Sequence, residues 1–121
     1  MPFADSPPAM SLAESSTFRC LSAAEALALI GEAPSVTVFD VRDLPSYQRG
    51  HLDGAAHLSE DRVLPWMRRL AKDAPVVIYC YHGNASKTYA QMFVDFRYTR
   101  VFSVDGGYEA LAAVRVATVA A

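Results

Sequence analysis

At 121 residues, with 52% hydrophobic and 20% charged content, the chain has the size and composition of one compact domain and no room for a second independent core. A formal charge of -2 supplies no overall basic field of the kind that draws proteins onto nucleic acid. The apolar stretches are short and broken by charge or proline, far below the roughly 20 residues of a membrane-spanning helix, so neither nucleic acid nor membrane is an expected partner.

Residues 1–16 are rich in Ser, Ala and Pro without sustained periodicity and read as a flexible leader ahead of a domain over 17–114. They carry neither the positive start nor the apolar run of a secretory signal, so the expected location is cytoplasmic. Folded structure should begin near Phe18. Ser22 and Glu25 have the capping-box spacing, in which serine oxygen and glutamate carboxylate satisfy orphan amides, and residues 23–30 supply good helix formers ahead of Gly31. Residues 36–41, VTVFDV, are β-branched and nearly continuous in apolar character, which suits a strand covered on both faces and ending near Asp40.

A loop or helical turn over 45–50 and a turn at Gly54 lead to a short strand over 55–58. Ser59 then caps a helix reaching about Ala71, in which Pro65 predicts a break or a displaced start near Leu64. Residues 76–80, VVIYC, form the next buried strand, 85–96 a helix and 101–104 a further strand, after which Gly106 and Gly107 permit a tight turn into a final helix. That helix packs on the sheet and frays into a C-terminal tail over 115–121. Strands alternating with helices give an α/β domain with a mostly parallel central sheet, because parallel neighbours require crossover connections.

Two cysteines, Cys20 and Cys80, are too few for a disulfide scaffold, and their separation matches no zinc-ligand spacing. His51, His57 and His82 form no H-x-x-x-H or His/Cys cluster, so neither metal nor cofactor is expected.

The chemistry concentrates in residues 76–87, VVIYCYHGNASK, where an apolar strand delivers Cys80 into a small-residue loop and then a helix. In open α/β sheets ligands bind just beyond the carboxyl ends of strands. The turn offers consecutive backbone amides and the positive end of a helix dipole, which stabilise anions and lower a thiol pKa. Gly83 lets the chain curl, Asn84, Ala85 and Ser86 are small enough for the amides to converge, and Lys87 adds positive charge close by. A thiolate held this way can attack a sulfane sulfur, and the same amides can hold the outer sulfur of the resulting persulfide.

The loop over 80–86 resembles the active-site loop of the small single-domain rhodaneses of the GlpE type, the thiosulfate sulfurtransferases. Asp40-Val41-Arg42, the segment HLDGA over 51–55 and DGGY over 105–108 resemble, in order and spacing, the D-V-R, H-x-x-G-A and D-G-G segments of that family. The resemblance covers residues 18–111 and implies a rhodanese-like three-layer fold with helices flanking the sheet. It also implies a Cys80 persulfide, a small-molecule donor such as thiosulfate, and a cyanide, thiol or protein acceptor. Carried over, Cys80 is the catalytic residue, and Tyr81, His82, Gly83, Asn84, Ala85, Ser86 and Lys87 bind substrate, chiefly through backbone amides. Six residues from Cys80 to Ala85 give the loop length of sulfur transfer. Leu111 stands where the family often has tryptophan and Asp53 where it commonly has proline, both at packing or turn positions.

Outside the loop the readings are structural. Arg42 is expected to pair with Asp40 or Asp43, and Asp40 to hydrogen-bond loop backbone, since a thiolate needs no general base. Arg49 can assist from a neighbouring loop, His51 and Gly54 cap a turn, and His57 packs beside its short strand. Trp66 and Tyr81 are the aromatics expected at a pocket mouth, and Cys20 reads as a small packing residue.

Two rival functions use the same cysteine. A phosphatase needs an arginine at the sixth position after cysteine to clamp a dianion, and here that position is Ser86. A partner-dependent persulfide carrier needs the same loop and differs only in the surface around it.

Overall fold

The computed structural model describes residues 17–120, with side chains through Val114; the expected leader lies outside the described residues. In chain order the elements are β1 (Arg19–Leu21), α1 (Ala23–Glu32), β2 (Thr37–Asp40), α2 (Leu44–Arg49) and β3 (Ala56–His57), followed by α3 (Glu60–Met67), β4 (Val76–Tyr79), α4 (Ala85–Asp95), β5 (Val101–Val104) and α5 (Gly107–Ala120). The sheet runs β1-β5-β4-β2-β3 with every pairing parallel. Each strand therefore ends in the same direction, and the loops after β2, β4 and β5 gather at one end of the domain.

Alternation along β4 shows how both faces are covered. Val76 and Ile78 point into a core shared with Val63 and Met67 of α3 and Ala90, Phe93 and Val94 of α4. Val77 and Tyr79 point the other way, into a core with Ala23 and Ala26 of α1 and Leu111 of α5. This is the expected three-layer arrangement, and each fully buried side chain such as Phe93 or Leu111 contributes about 1.5–3 kcal/mol by leaving water.

The capping box forms: Ser22 Oγ accepts from the Glu25 amide at 3.1 Å and Glu25 Oε1 from the Ser22 amide at 2.9 Å. Four expectations need correction. Strand β1 was not expected, because its three residues, Arg19, Cys20 and Leu21, carry no periodic signal and are held by parallel pairing with β5. Cys20 is exposed on this edge strand and is not a packing residue.

The third concerns Pro65, which lies inside α3 without breaking it near Leu64; the helix starts at Glu60 and stops at Met67, short of Ala71. Buried Val63 and Met67, one turn apart, hold that helix to the sheet, while Pro65 itself faces outward. The hydrogen bond lost at its nitrogen belongs to the carbonyl of Asp61, an exposed residue. Backbone expected as a tail from residue 115 continues α5 to Ala120.

Candidate active site

Cys80 follows the last residue of β4, the central strand, and opens the loop that becomes α4. It is only 2% exposed, so the sulfur lies at the floor of the loop. Gly83, at φ 103°, turns its amide back to donate to Cys80 Sγ at 3.1 Å. Asn84 caps α4 without a side-chain hydrogen bond, which leaves the first amides of the helix for the sulfur.

Burial alone would push the Cys80 thiol up. The Ser86 hydroxyl and the amides of Ser86, Gly83 and His82 outweigh it, and the thiol lies below its ordinary value. Ser86 Oγ stands 3.5 Å from Cys80 Sγ and 2.7 Å from Ser103 Oγ on β5, both serines being fully buried.

The neighbouring strand ends hold the loop from two sides. After β5, the Tyr108 amide donates to the Cys80 carbonyl at 2.7 Å. After β2, Asp43 caps α2 through the Ser46 amide at 2.8 Å and accepts the Tyr81 hydroxyl, which also lies 3.0 Å from Ser46 Oγ. The Tyr81 hydroxyl, followed by the Ser46 amide and hydroxyl, brings the Asp43 carboxyl down to about 2. Arg49 Nη2 donates to Ser46 Oγ at 3.1 Å, so a cation stands beside the Tyr81 end of the loop. Beneath these groups Arg42 pairs with Asp40 at 2.7 Å, donates to the Gly50 carbonyl at 2.6 Å and lies 3.9 Å over the Tyr108 ring.

A buried thiol at a strand end, with amides directed at its sulfur and a glycine pair against its loop, has counterparts among known proteins. The sequence pattern of the rhodanese-like domain matches residues 22–113. The chain belongs to the rhodanese-like family. It is 38% identical over 94 residues to the thiosulfate sulfurtransferase GlpE of Tolumonas auensis, covering 78% of this chain and 88% of that protein. With GlpE of Pseudomonas entomophila the identity is 40% over 94 residues, covering 78% and 84%. Among solved structures, a Rhodopseudomonas palustris protein described as of unknown function, "possible tyrosine phosphatase", superposes with a TM-score of 0.70 at 24% identity, covering 95% of this chain and 96% of that one. That likeness concerns the fold.

Within this rhodanese domain the loop residues divide sharply. Gly83 and Ser86 are buried against Cys80, whereas Tyr81, His82, Asn84, Ala85 and Lys87 are exposed. The His82 side chain is 69% exposed and approaches Glu109 at 4.0 Å, while its amide faces the sulfur. Lys87 lines a shallow depression on the outer side of α4 with Phe18, Thr88, Gln91, Met92 and Asp95.

Arg42 and Asp40 pair as expected, and the Arg42 amide donates to Asp40 Oδ1 at 2.9 Å. His51 Nδ1 meets the Tyr47 carbonyl at 2.8 Å, and His57 Nε2 meets the Arg42 carbonyl at 2.7 Å, both structural roles. Trp66, expected at a pocket mouth, lines a surface depression with Arg62, Pro65 and Arg69, and packs edge-on against Phe39 at 5.0 Å under the Arg69 guanidinium. Ser103 escaped sequence reasoning; its signal was a lone hydroxyl inside an otherwise apolar strand. Among the described residues no group of three His, Cys, Asp or Glu could hold a metal ion, and no helix is long and apolar enough to cross a membrane.

Proposed function

We propose that the chain is a thiosulfate sulfurtransferase that carries sulfane sulfur as a persulfide on Cys80. One observation carries this reading: a buried thiol at the floor of a loop, with the Gly83 amide donating to its sulfur at 3.1 Å and the Ser86 hydroxyl 3.5 Å away. Membership of the rhodanese-like family and the names of the two GlpE relatives support the donor. The side chain at the sixth position after Cys80 supports sulfur over phosphoryl transfer, because a buried serine there clamps no phosphate dianion.

In the first half-reaction the Cys80 thiolate attacks the outer sulfur of thiosulfate. A bond forms between Sγ and that sulfur, the S–S bond of the donor breaks, and sulfite leaves with the bonding pair. In the second, cyanide or the thiolate of a small molecule or a protein attacks the outer sulfur of the persulfide, and Cys80 departs as a thiolate. No proton need move in either step. The amides of residues 81–86 hold the outer sulfur anion between steps, preorganised as in an oxyanion hole. Arg49 and Lys87 contribute positive potential that favours an anionic donor. We place the reaction in the cytoplasm, where acceptor thiols are kept reduced.

Intact mass of the reduced protein, taken after thiosulfate and again after cyanide, tests the reading with Cys80→Ser in parallel. The expected result is the gain of one sulfur atom that cyanide removes and that the variant never acquires. Absence of any gain removes thiosulfate as donor, and transfer only in the presence of a protein acceptor turns the reading toward a dedicated carrier.

A further inference from the structure

We propose that Ser103 is a positioning residue for sulfur transfer, its hydroxyl orienting that of Ser86 as a donor to the Cys80 sulfur. Ser103 occupies the interior of β5, in register with Cys20 and Ile78, and is fully buried. Its neighbours along the strand are Val101, Phe102 and Val104. A hydroxyl in such surroundings costs stability unless it is paired, and its partner is Ser86 Oγ at 2.7 Å. Ser86 in turn stands 3.5 Å from Cys80 Sγ. The three atoms make a continuous line from the interior of the sheet to the reactive sulfur.

Each hydroxyl carries one donor and two acceptor sites, so the line has two polarities. With a neutral thiol, the S–H points to Ser86 and the Ser86 proton to Ser103. When the proton leaves Cys80 for solvent, Ser86 turns its own proton to the sulfur and its oxygen accepts the Ser103 proton. Donation from Ser103 polarises the Ser86 O–H and strengthens its bond to the anion.

The inference rests on Cys80 as sulfur carrier, and the measurement keeps the two claims apart. In a Cys20→Ser background, with Cys80 the only thiol, the pH dependence of iodoacetamide alkylation reports ionisation of the sulfur whether or not it transfers sulfur. Ser103→Ala should raise the apparent pKa by about half a unit to one unit, the worth of one hydrogen bond, and slow alkylation roughly three- to tenfold below that pH. Ser103→Thr should retain the parent profile while its isostere Ser103→Val shifts it, a comparison that survives if the alanine variant folds poorly. In a Ser86→Ala background, Ser103→Ala should add nothing.

An unchanged profile in folded Ser103→Ala overturns the proposal, as does a shift that persists in full without Ser86. The expected shift in Ser103→Ala together with no sulfur gain from thiosulfate in the parent upholds the Ser103 inference and removes the donor assignment instead.

Discussion

The amide of Tyr108 donates to the carbonyl of Cys80 at 2.7 Å, so the turn after β5 grips the peptide that carries the buried thiol. Such an approach needs bare backbone. Gly107 has φ 62°, and a Cβ there would overlap the carbonyl oxygens of both Cys80 and Tyr81. Gly107→Ala is expected to displace the loop and slow persulfide formation at least about tenfold, since misplacement of a reacting group by about 1 Å costs that much or more. Strain at a positive φ adds roughly 1–3 kcal/mol of instability. Gly31→Ala on α1, where an added Cβ meets nothing within 4 Å, is the control and should leave the rate unchanged. Stopped-flow persulfidation and thermal melting of both variants decide it.

The lowered thiol makes a prediction with a definite sign. Its folded-state value lies below that of the unfolded chain, so Cys80 contributes stability that is present above the unfolded value and lost as pH falls through the folded one. Persulfide formation follows the thiolate fraction, and its rate should reach a plateau at lower pH than alkylation of a free thiol with a pKa of about 8.5. Ser86→Ala removes the largest of the lowering influences and should move the profile upward. Rates of persulfide formation across pH 5 to 10, on the order of the range in which thiols titrate, provide the check. A profile matching the free thiol would contradict the role given to the loop amides.

Asp40 and Arg42 form a buried pair under the site, and breaking it should harm the fold more than the chemistry. Asp40→Asn leaves the guanidinium buried beside the Tyr108 ring without its anion, a change that costs about 3–5 kcal/mol in buried pairs. Against the roughly 5–15 kcal/mol that holds a domain of this size together, the loss is severe. Arg42→Lys is expected to fail as well, because three donors on a flexible stem do not reproduce the fork that reaches Asp40 and the Gly50 carbonyl together. Urea unfolding midpoints measure both effects. Transfer rate per folded molecule should stay within a few-fold, since the hydrogen bonds to the Cys80 sulfur involve Gly83 and Ser86 and not this pair.

Features set by neighbours in the chain were legible from sequence: the Ser22 capping box, the continuous burial of β4 and the small-residue loop after Cys80. Features set by distant partners were not. Strand β1 exists through its pairing with β5, more than 80 positions away in register. Tyr81 meets Asp43 across 38 positions, and Ser86 meets Ser103 across 17. Pro65 misled because a local rule, the missing amide, was overridden by the buried contacts of Val63 and Met67. The position of Trp66 on α3 depends on Phe39 of β2, which no local pattern announces.

The loop is read as a cradle of amides, and two adjacent residues separate that reading from one based on side chains. His82 points outward, and its contact with Glu109, 4.0 Å between two exposed groups, is of a kind worth little. His82→Ala retains the amide and should change the rate of sulfur transfer by no more than about twofold. Gly83 has no side chain to lose, yet its amide donates to the sulfur, its φ is 103°, and a Cβ would press on the Gly106 amide and the Val104 carbonyl at 3.1 and 3.3 Å. Gly83→Ala should therefore cost at least about tenfold, the scale of losing one oriented donor to a developing anion. A large loss in His82→Ala with its melting temperature intact would transfer the chemistry from backbone to imidazole. The opposite pair of results, near-neutral at 82 and severe at 83, is what convergence of amides on Cys80 requires.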